Sequence, residues 1–419
     1  MGELIKSQMQ KADGTMVSVE EAEKIILQQL KDYGSELIPF EQALGRVLAE
    51  DIKADRDLPP CNRVTMDGIG IRYAAFENGL RSFKVKAIIA AGDKAIDTEL
   101  EDECVEIMTG ASLPDSVDTI IRYEDLDIKN GIAIVTIENI KEGQNIHKKG
   151  KDKKQDDIVA SANQFIDATI ISMAASVGKK MLQVKKLPKV AIISTGDELV
   201  AVNEQPTPYQ VRSSNNYTIK AALQQYAVQC DMLHIPDEPE ITREKIKYCI
   251  EQYDVLLLSG GVSMGKFDYV PQVLEELKVM QLFHKVKQRP GKPFWFGAHS
   301  NGALVFAFPG NPVSTFLCLH RYFIPWLETS IQIPNPKSQI PKYAILENDV
   351  TFTAPMQYFM QVKICSNELG QLVAKPMEGN GSGDFANLLD SNAFMELPAE
   401  QSNFKKGEVY RVWPFKQII

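Results

Sequence analysis

Three apolar runs between residues 189 and 327 limit the fold of this chain more than any other feature. Each run is apolar throughout and is followed by a turn that contains glycine; the runs are 190–193, 255–258 and 304–308. Such runs are typical of strands that are covered on both faces of a parallel sheet. Helical spacing of apolar residues in 214–229 and 241–253 alternates with them. We therefore predict a central, doubly wound α/β domain over residues 188–332.

Helical patterns dominate the segments before this domain. Ser18 and Glu21 form the sequence of a capping box, and a second helical pattern covers 40–51. A further apolar helix is predicted over 168–177, where Gly178 follows in a position that ends helices. We expect this helix to pack with the first helical segments. We predict a helical, elongated N-terminal domain. It is discontinuous in the sequence and consists of residues 1–57 and 146–187.

Two further regions are rich in short strands. Val- and Ile-rich runs bounded by turns predict a β-rich domain inserted over 58–145. A small β-barrel-like domain is predicted over 333–419, at the end of the chain. Its predicted strands are 350–353, 359–364, 372–375 and 409–412. Several domains are expected in any case, because one hydrophobic core stops growing at about 250 to 300 residues.

Charge and cysteine content exclude several classes of protein. The net charge is -9 and the pI is about 5.3, so the chain as a whole has no electrostatic reason to bind nucleic acid or an anionic membrane. The densest basic run, 148–154, is more typical of a solvated face than of an anion site. Six cysteines without a CxxC pair indicate reduced, mostly buried thiols. Because no segment approaches the ~20 apolar residues of a membrane span, we expect a cytoplasmic protein.

Three loops after the predicted central strands carry glycine where backbone amides can approach a phosphate. They cover 194–198, 259–265 and 309–312. None matches the GxxxxGK[ST] motif of a P-loop or a GxGxxG motif that opens a helix, so neither an NTPase nor a dinucleotide dehydrogenase is supported. One such loop would be ordinary turn chemistry, but three in one domain indicate a phosphorylated ligand. The candidate binding residues are Thr195, Gly196, Gly260, Gly261, Ser263, Pro309, Gly310 and Asn311.

Acidic and basic side chains accompany these loops. The acids are Asp197, Glu198, Asp237 and Asp268, with Asp67 and Asp152 elsewhere in the chain. Carboxylates suit Mg²⁺, which uses one or two of them, although any single acid, Asp237 above all, is also explained as a helix cap. The bases, around a Gly-Lys turn between prolines, are Lys285, Lys287, Arg289 and Lys292. Acids for a metal and bases for an anion predict metal-assisted phosphoryl chemistry.

Several motifs stand in the order used by one known family. They are Leu-Pro-Pro at 58–60, Met-Asp-Gly at 66–68, Ile-Met-Thr-Gly-Ala at 107–111, Gly-Gln-Asn-Ile at 143–146, the three loops above and Pro-Gly-Lys-Pro at 290–293. On these residues the chain resembles the MoeA and gephyrin E-domain family of molybdopterin molybdenumtransferases. The resemblance implies that molybdate is inserted into adenylylated molybdopterin with Mg²⁺, which releases AMP and molybdenum cofactor.

The resemblance also implies an elongated homodimer of four-domain subunits. Its active cleft would combine the α/β domain of one subunit with the Met-Asp-Gly domain of the other. Transient contacts with the molybdopterin adenylyltransferase and with maturation proteins of molybdenum enzymes are expected. The implied catalytic residues are Asp67, Thr109, Glu198, Asp237 and Asp268, the last three of which would also hold Mg²⁺. Further implied substrate-binding residues are Asp152, Ser214, Asn215, Lys285, Arg289, Lys292 and Ser382.

The chain departs from the family pattern around this cleft. Lys151 stands where the family typically has Glu, and His147 where it often has Arg. Arg212 and Ser213 stand where it usually has Tyr-Asp. Two carboxylates are lost and two cations gained, which would strengthen the binding of anions and weaken the binding of a metal.

Three alternatives remain open at this stage. A binding or scaffold protein would share the fold without the reaction, as the gephyrin E-domain also serves in animals, but the retained acids favour an enzyme. A nucleotide hydrolase similar to the competence-damage proteins is disfavoured by the Met-Asp-Gly region. A paralogue for tungstate has the same sequence pattern as one for molybdate, since the two oxyanions have nearly equal size and charge.

Overall fold

The computed structural model describes residues 16–262, 269–334, 341–379 and 381–416, and a six-stranded sheet lies at its centre. In sheet order the strands are Cys230–Ile235, Val190–Thr195, Val255–Ser259, Leu304–Phe308, Trp295–Ala298 and Met280–His284. The first four are parallel, as the apolar runs predict, whereas the last two are antiparallel to their neighbours and correct the prediction of a purely parallel sheet. The reason is the short turn over 299–303, because a parallel pair needs a crossover of a dozen or more residues.

Helices cover both faces of the central sheet, which confirms the doubly wound α/β prediction. One face packs against helices Asn215–Gln224, Pro312–Cys318 and Ile324–Ser330, the last two being joined by a π-helical turn, Leu319–Phe323. The other face packs against helices Pro239–Gln252 and Val270–Glu276. The carboxyl ends of the parallel strands remain open between these layers, so the glycine loops lie at one edge of the sheet.

The first helix, Val19–Leu27, begins at the predicted capping box. Ser18 Oγ accepts from the Glu21 amide, and Glu21 accepts from the Ser18 amide, both at 3.1 Å. The buried face of the helix belongs to the core of the central sheet, and Glu23 forms a 2.9 Å ion pair with the buried Arg321. The helix therefore packs with the central unit, although the domain boundaries stay predictions.

The rest of the N-terminal region contains fewer helices than predicted. The helix Ala168–Ser176 is confirmed, and Gly178 follows it with a positive φ of 69°. The helical pattern over 40–51 is wrong: only a 3-10 turn, Phe40–Gln42, forms there. Gly45 has a φ of 80°, which breaks a helix, and the apolar residues after it are buried by bridges to other strands. Two antiparallel pairs complete the region, Ser35–Pro39 with Met181–Lys185 and Ile52–Lys53 with Ile158–Ala160.

A second six-stranded sheet, here called the N-terminal sheet, fills the predicted β-rich insertion. In sheet order its strands are Thr119–Arg122, Gly68–Ile71, Glu103–Ile107, Ser82–Ile89, Ile132–Val135 and Leu126–Lys129. The helix Tyr73–Glu77 packs into its core, and the pair Arg63–Val64 with Ile146–His147 lies beside it. The strand that begins at Gly68 is paired on both sides, so the Met-Asp-Gly motif ends at the start of a buried strand.

The C-terminal region is a closed five-stranded barrel. In order its strands are Gln357–Ser366, Leu372–Pro376, Lys342–Leu346, Val409–Pro414 and Ala393–Leu397, and the last pairs again with the first. The barrel-like prediction is thus confirmed, although the sequence patterns missed the strands that begin at Lys342 and Ala393. Smaller elements are the pair Val350–Thr351 with Asn403–Phe404 and the helix Asn387–Asp390. The short strand Gln288–Arg289 of the central unit pairs in parallel with the start of the barrel strand Gln357–Ser366, so the two units share backbone hydrogen bonds.

All six cysteines are free, and three of them, Cys104, Cys249 and Cys318, are buried. Across the ranges that the structure describes, the helices are too short or too polar for a transmembrane span.

Candidate active site

One asparagine side chain joins the loops at the carboxyl ends of the central strands. Asn215 Nδ2 donates to Ser259 Oγ at 2.7 Å and to the Gly310 carbonyl at 2.8 Å. It also lies 3.2 Å from Thr315 Oγ1, whose hydroxyl donates to the Pro309 carbonyl at 2.6 Å. These contacts hold the second and third glycine loops at a fixed spacing.

The second glycine loop packs directly on the end of the strand that finishes at Thr195. A Cβ on Gly261 would lie 2.7 Å from Thr195 Oγ1, and one on Gly260 would lie 3.0 Å from the Thr195 carbonyl oxygen. Both glycines have positive φ, so only glycine fits without strain. Thr195 Oγ1 is buried and has no hydrogen-bond partner within the described ranges. Since buried polar groups are nearly always paired, this hydroxyl is suited to a ligand.

Acidic side chains lie on two adjacent loops at the same edge. The Glu198 carboxylate lies over Gly196, whose φ of +127° is open to glycine alone; a Cβ there would meet Glu198 Oε2 at 2.3 Å. Asp197 Oδ1 accepts from the Asp237 amide at 3.1 Å, which holds the two loops together. The helix after Asp237 has Glu238 at its N-cap position, without a side-chain cap. Asp237 is therefore not the N-cap residue of this helix.

The carboxylates at this edge supply only part of the ligands that a magnesium ion needs. Glu198 and Asp237 lie on adjacent loops, and Mg²⁺ needs no more than one or two carboxylates besides phosphate oxygens and water. Among the residues that the structure describes, His, Cys, Asp and Glu nowhere form a group of three or more that could hold an ion by itself. Asp268 and Ser263 lie outside the described residues, so their predicted roles stay predictions.

A cavity of about 470 Å³ lies between the central unit and the barrel. Asn311 Nδ2 donates to Ser382 Oγ at 2.8 Å across it, and the Val313 amide donates to the Ser382 carbonyl at 3.1 Å. Asn311 follows Gly310, which contacts Asn215, so the cavity adjoins the strand-end loops. The structure thus brings together five of the predicted binding residues in this cavity: Arg289, Lys292, Pro309, Asn311 and Ser382.

The two walls of the cavity differ in chemistry. The central unit contributes the exposed cations Arg289 and Lys292, and the barrel contributes Tyr358 and Met356. The Arg289 guanidinium lies 5.9 Å from the centroid of the Phe352 ring. Burial raises the pKa of Tyr358, and the charge of Arg289 partly opposes that shift. The cavity can therefore hold an anion beside an apolar surface.

Two further predicted residues lie beside these loops. Ser214 stands at the N-cap position of the helix that begins with Asn215, and its carbonyl accepts from the Thr218 amide at 3.1 Å. Lys285 has a φ of +79°, and its amide donates to the Phe294 carbonyl at 2.9 Å. Its backbone therefore begins the loop that carries Arg289. Their side-chain roles stay predictions.

Asp67 and Thr109 lie together, but on the N-terminal sheet. Asp67 Oδ1 accepts from the Thr109 amide at 2.6 Å. This backbone hydrogen bond, followed by one from the Thr109 side chain, holds the pKa of Asp67 below its usual value of 3.8. A lowered pKa means that the ionised carboxylate favours the folded state above the ordinary pKa and that this contribution is lost as the pH falls through the lowered value. Asp67 is therefore a stable anion at neutral pH.

Asp152 also belongs to the N-terminal region. Its Oδ1 lies 2.8 Å from His147 Nε2, and its amide donates to the Leu58 carbonyl at 3.0 Å. Lys149 Nζ lies 3.7 Å from Asp57 Oδ2. The basic run thus packs its backbone on the Leu-Pro-Pro loop. The predicted residues of the strand-end loops and those of the cavity therefore adjoin each other. Asp67 and Asp152 lie elsewhere, beside the N-terminal sheet and in the basic run.

Sequence reasoning missed several residues that organise this site. Ser259 and Thr315 are the acceptors for Asn215, and the buried Gln288 and Tyr322 lie behind the cationic loop. Thr315 is 100 positions from Asn215, and Tyr322 is 34 positions from Gln288. Pairs so far apart in the sequence cannot be recognised from the local spacing of residues. In the sequence Gln288 stands between Lys287 and Arg289, so nothing there indicates that its side chain is buried.

Fold and site together define a multidomain α/β protein that presents glycine loops, carboxylates and a cationic cavity at one edge of its central sheet. The sequence matches three family descriptions in chain order: "MoeA N-terminal region (domain I and II)" over 17–178, "Probable molybdopterin binding domain" over 191–329 and "MoeA C-terminal region (domain IV)" over 343–415.

Similar proteins support the same assignment along the whole chain. The Synechocystis protein named molybdopterin molybdenumtransferase is 35% identical over 398 residues, which cover 94% of this chain and 99% of that protein. A protein of the same name from Staphylococcus epidermidis is 31% identical over 404 residues, 95% of each chain. The crystal structure of a molybdopterin biosynthesis MoeA protein from Pyrococcus horikoshii has a TM-score of 0.79 at 27% identity and covers 96% of this chain and 100% of that one. The chain belongs to the MoeA family of molybdopterin molybdenumtransferases.

Proposed function

We propose that this chain inserts molybdate into adenylylated molybdopterin in a Mg²⁺-dependent reaction in the cytoplasm, releasing AMP and molybdenum cofactor. The observation that carries the proposal is the continuity between the strand-end loops and the cationic cavity, through Gly310 and Asn311. A phosphorylated pterin and an oxyanion need two adjacent anion sites, and this edge of the sheet offers both.

Each group of residues has a proposed task. Thr195 and the glycine loops bind the phosphorylated ligand through their amides and the unpaired hydroxyl. Arg289 and Lys292 hold molybdate, since cations in a partly enclosed cavity favour an oxyanion. Glu198 and Asp237 would hold Mg²⁺, which when bound neutralises charge on the pyrophosphate.

Replacing one carboxylate tests the proposal. We expect Glu198→Gln to slow AMP release from adenylylated molybdopterin by about tenfold to a hundredfold, because the amide keeps the shape but loses the charge that a metal needs. The control is Glu251→Gln, the same change at an exposed position near the far end of helix Pro239–Gln252. Equal rates for Glu198→Gln and the control would refute the assignment of Glu198.

We also propose that the active unit is a homodimer in which Asp67 and Thr109 come from the partner, with transient contacts to the upstream adenylyltransferase and to maturation proteins. The placement of Asp67 and Thr109 on the N-terminal sheet, away from the strand-end loops, supports this. Mixing Asp67→Asn with Glu198→Gln subunits should restore about a quarter of the wild-type rate, since half of the dimers are mixed and each mixed dimer has one intact site. A mixed sample with only the summed activities of its parents would contradict a shared site.

A further inference from the structure

A buried amide lies directly behind the cationic loop of the cavity. Gln288 is fully buried, and its Nε2 donates to the Gly291 carbonyl at 3.2 Å and to Cys318 Sγ at 3.6 Å. Its Oε1 accepts from the hydroxyl of Tyr322, which is also buried. Both ends of the amide are therefore hydrogen-bonded.

Burying this amide costs free energy of folding, and a geometric role would explain why it is there. Tyr322 belongs to an apolar core, where its ring lies 5.1 Å from that of Phe294, which in turn packs against Phe308. An apolar side chain would fill the space without the desolvation of an amide. What Gln288 adds is a fixed distance to the Gly291 carbonyl, in the middle of the Pro-Gly-Lys-Pro turn.

The Pro-Gly-Lys-Pro turn packs closely against this amide. Gly291 has a φ of +89°, and a Cβ there would lie 2.6 Å from Gln288 Nε2 and 2.9 Å from Cys318 Sγ. Arg289 and Lys292 stand immediately beside Gln288 and Gly291 in sequence, and both line the cavity. The Gln288 amide therefore fixes the position of the turn backbone that carries Arg289 and Lys292.

The network also connects two segments of the central unit that line the cavity, the cationic loop and the helix Pro312–Cys318. Cys318 ends the helix that begins at Pro312, just after Asn311, and Tyr322 lies in the π-helical turn that follows. Such turns are rare and are often found at functional sites. This one supplies the hydroxyl that orients the Gln288 amide.

We propose that Gln288 and Tyr322 are positioning residues that fix the spacing of Arg289 and Lys292 for molybdate. The inference rests on the proposed function, because it takes the cavity as the oxyanion site. It goes further in assigning a role to two buried side chains, Gln288 at the back of the cavity wall and Tyr322 behind it.

The test is molybdate binding, measured by calorimetry, together with the KM for molybdate and kcat in the AMP-release assay. Tyr322→Phe and Gln288→Met should each raise the dissociation constant and KM by about tenfold and leave kcat nearly unchanged. The matched control is Tyr226→Phe, which removes a partly buried tyrosine hydroxyl that donates to Glu328 at 2.9 Å, outside the residues that line the cavity. It should lower stability without changing molybdate affinity.

The double variant Tyr322→Phe/Gln288→Met separates positioning from stability. Replacing both partners by apolar groups should return the unfolding midpoint toward that of the wild type. The Gly291 carbonyl then keeps only the weak 3.9 Å contact from the Cys318 thiol, so molybdate affinity should remain low. Recovery of affinity along with stability would overturn the inference, as would single variants that bind like the control.

Lys292→Ala distinguishes this inference from the proposed function. If the wild type binds no molybdate, or if Lys292→Ala binds as well as the wild type, the oxyanion site itself is wrong. If Lys292→Ala weakens binding and Tyr322→Phe does not, only the positioning role fails.

Discussion

The substitution Gly68→Ala should prevent the N-terminal sheet from folding. Gly68 begins a strand that is paired on both sides, and a Cβ there would lie 1.8 Å from the Ile121 carbonyl oxygen of the neighbouring strand. That atom is backbone and cannot rotate away, so the two strands must separate. Overpacking of this kind costs about 3 kcal/mol or more in the free energy of unfolding. The glycine of the Met-Asp-Gly motif is therefore required by strand packing, whereas the side chain of Asp67 before it is exposed.

Gly70→Ala in the same strand is the matched comparison. Its Cβ would meet only side chains, Val117, Val105 and Ile120, at 3.1 to 3.4 Å. These can shift slightly, so a loss of about 1 kcal/mol is expected. Denaturant unfolding followed by circular dichroism measures both variants. Equal midpoints for Gly68→Ala and Gly70→Ala would show that the close approach of Gly68 to Ile121 is not real.

The variant Asn215→Leu should abolish most of the activity. The side chain keeps its approximate shape but no longer donates to Ser259, Gly310 or Thr315, so the second and third glycine loops lose their common anchor. Displacement of reacting groups by about 1 Å can cost a hundredfold in rate, and here the second and third glycine loops are released together. We expect AMP release to fall by about a hundredfold to a thousandfold.

Asn301→Leu controls for the loss of stability in this experiment. Asn301 Nδ2 donates to the Ile250 carbonyl at 2.9 Å, and its Oδ1 accepts from the Ala303 amide at 2.9 Å. It anchors the turn before the strand Leu304–Phe308, at the opposite end of the sheet from the glycine loops. We expect a lower unfolding midpoint with nearly unchanged AMP release. If Asn301→Leu slowed the reaction as much as Asn215→Leu, the anchoring role of Asn215 would be refuted.

The sequence was informative where a pattern is local. Apolar strands followed by glycine loops predicted the central sheet and its open edge, because burial on both faces leaves a clear signature in the chain. The capping box at Ser18 and the stop at Gly178 were equally local. The pattern over 40–51 failed because its apolar residues are buried by distant strands, which helical spacing cannot distinguish from a helix face.

The site was less accessible than the fold. Sequence motifs predicted which loops bear ligand-binding residues, but not that Arg289 and Ser382 line one cavity, since they belong to different units. The contacts of Asn215 and of Gln288 span up to 100 positions, so they depend on the tertiary structure alone. The closed barrel likewise required the strands beginning at Lys342 and Ala393, neither of which has a clear alternating pattern.

The most direct test of the proposed reaction is the stoichiometry of the wild-type chain with adenylylated molybdopterin, Mg²⁺ and molybdate. We predict that AMP release requires both the metal and the oxyanion, and that the molybdenum incorporated into the pterin equals the AMP released. A folded wild-type protein that releases no AMP would contradict the reaction and make Lys151 and Ser213 the first positions to restore as acids. AMP released without molybdate, and without incorporated molybdenum, would instead show a hydrolase on the same fold.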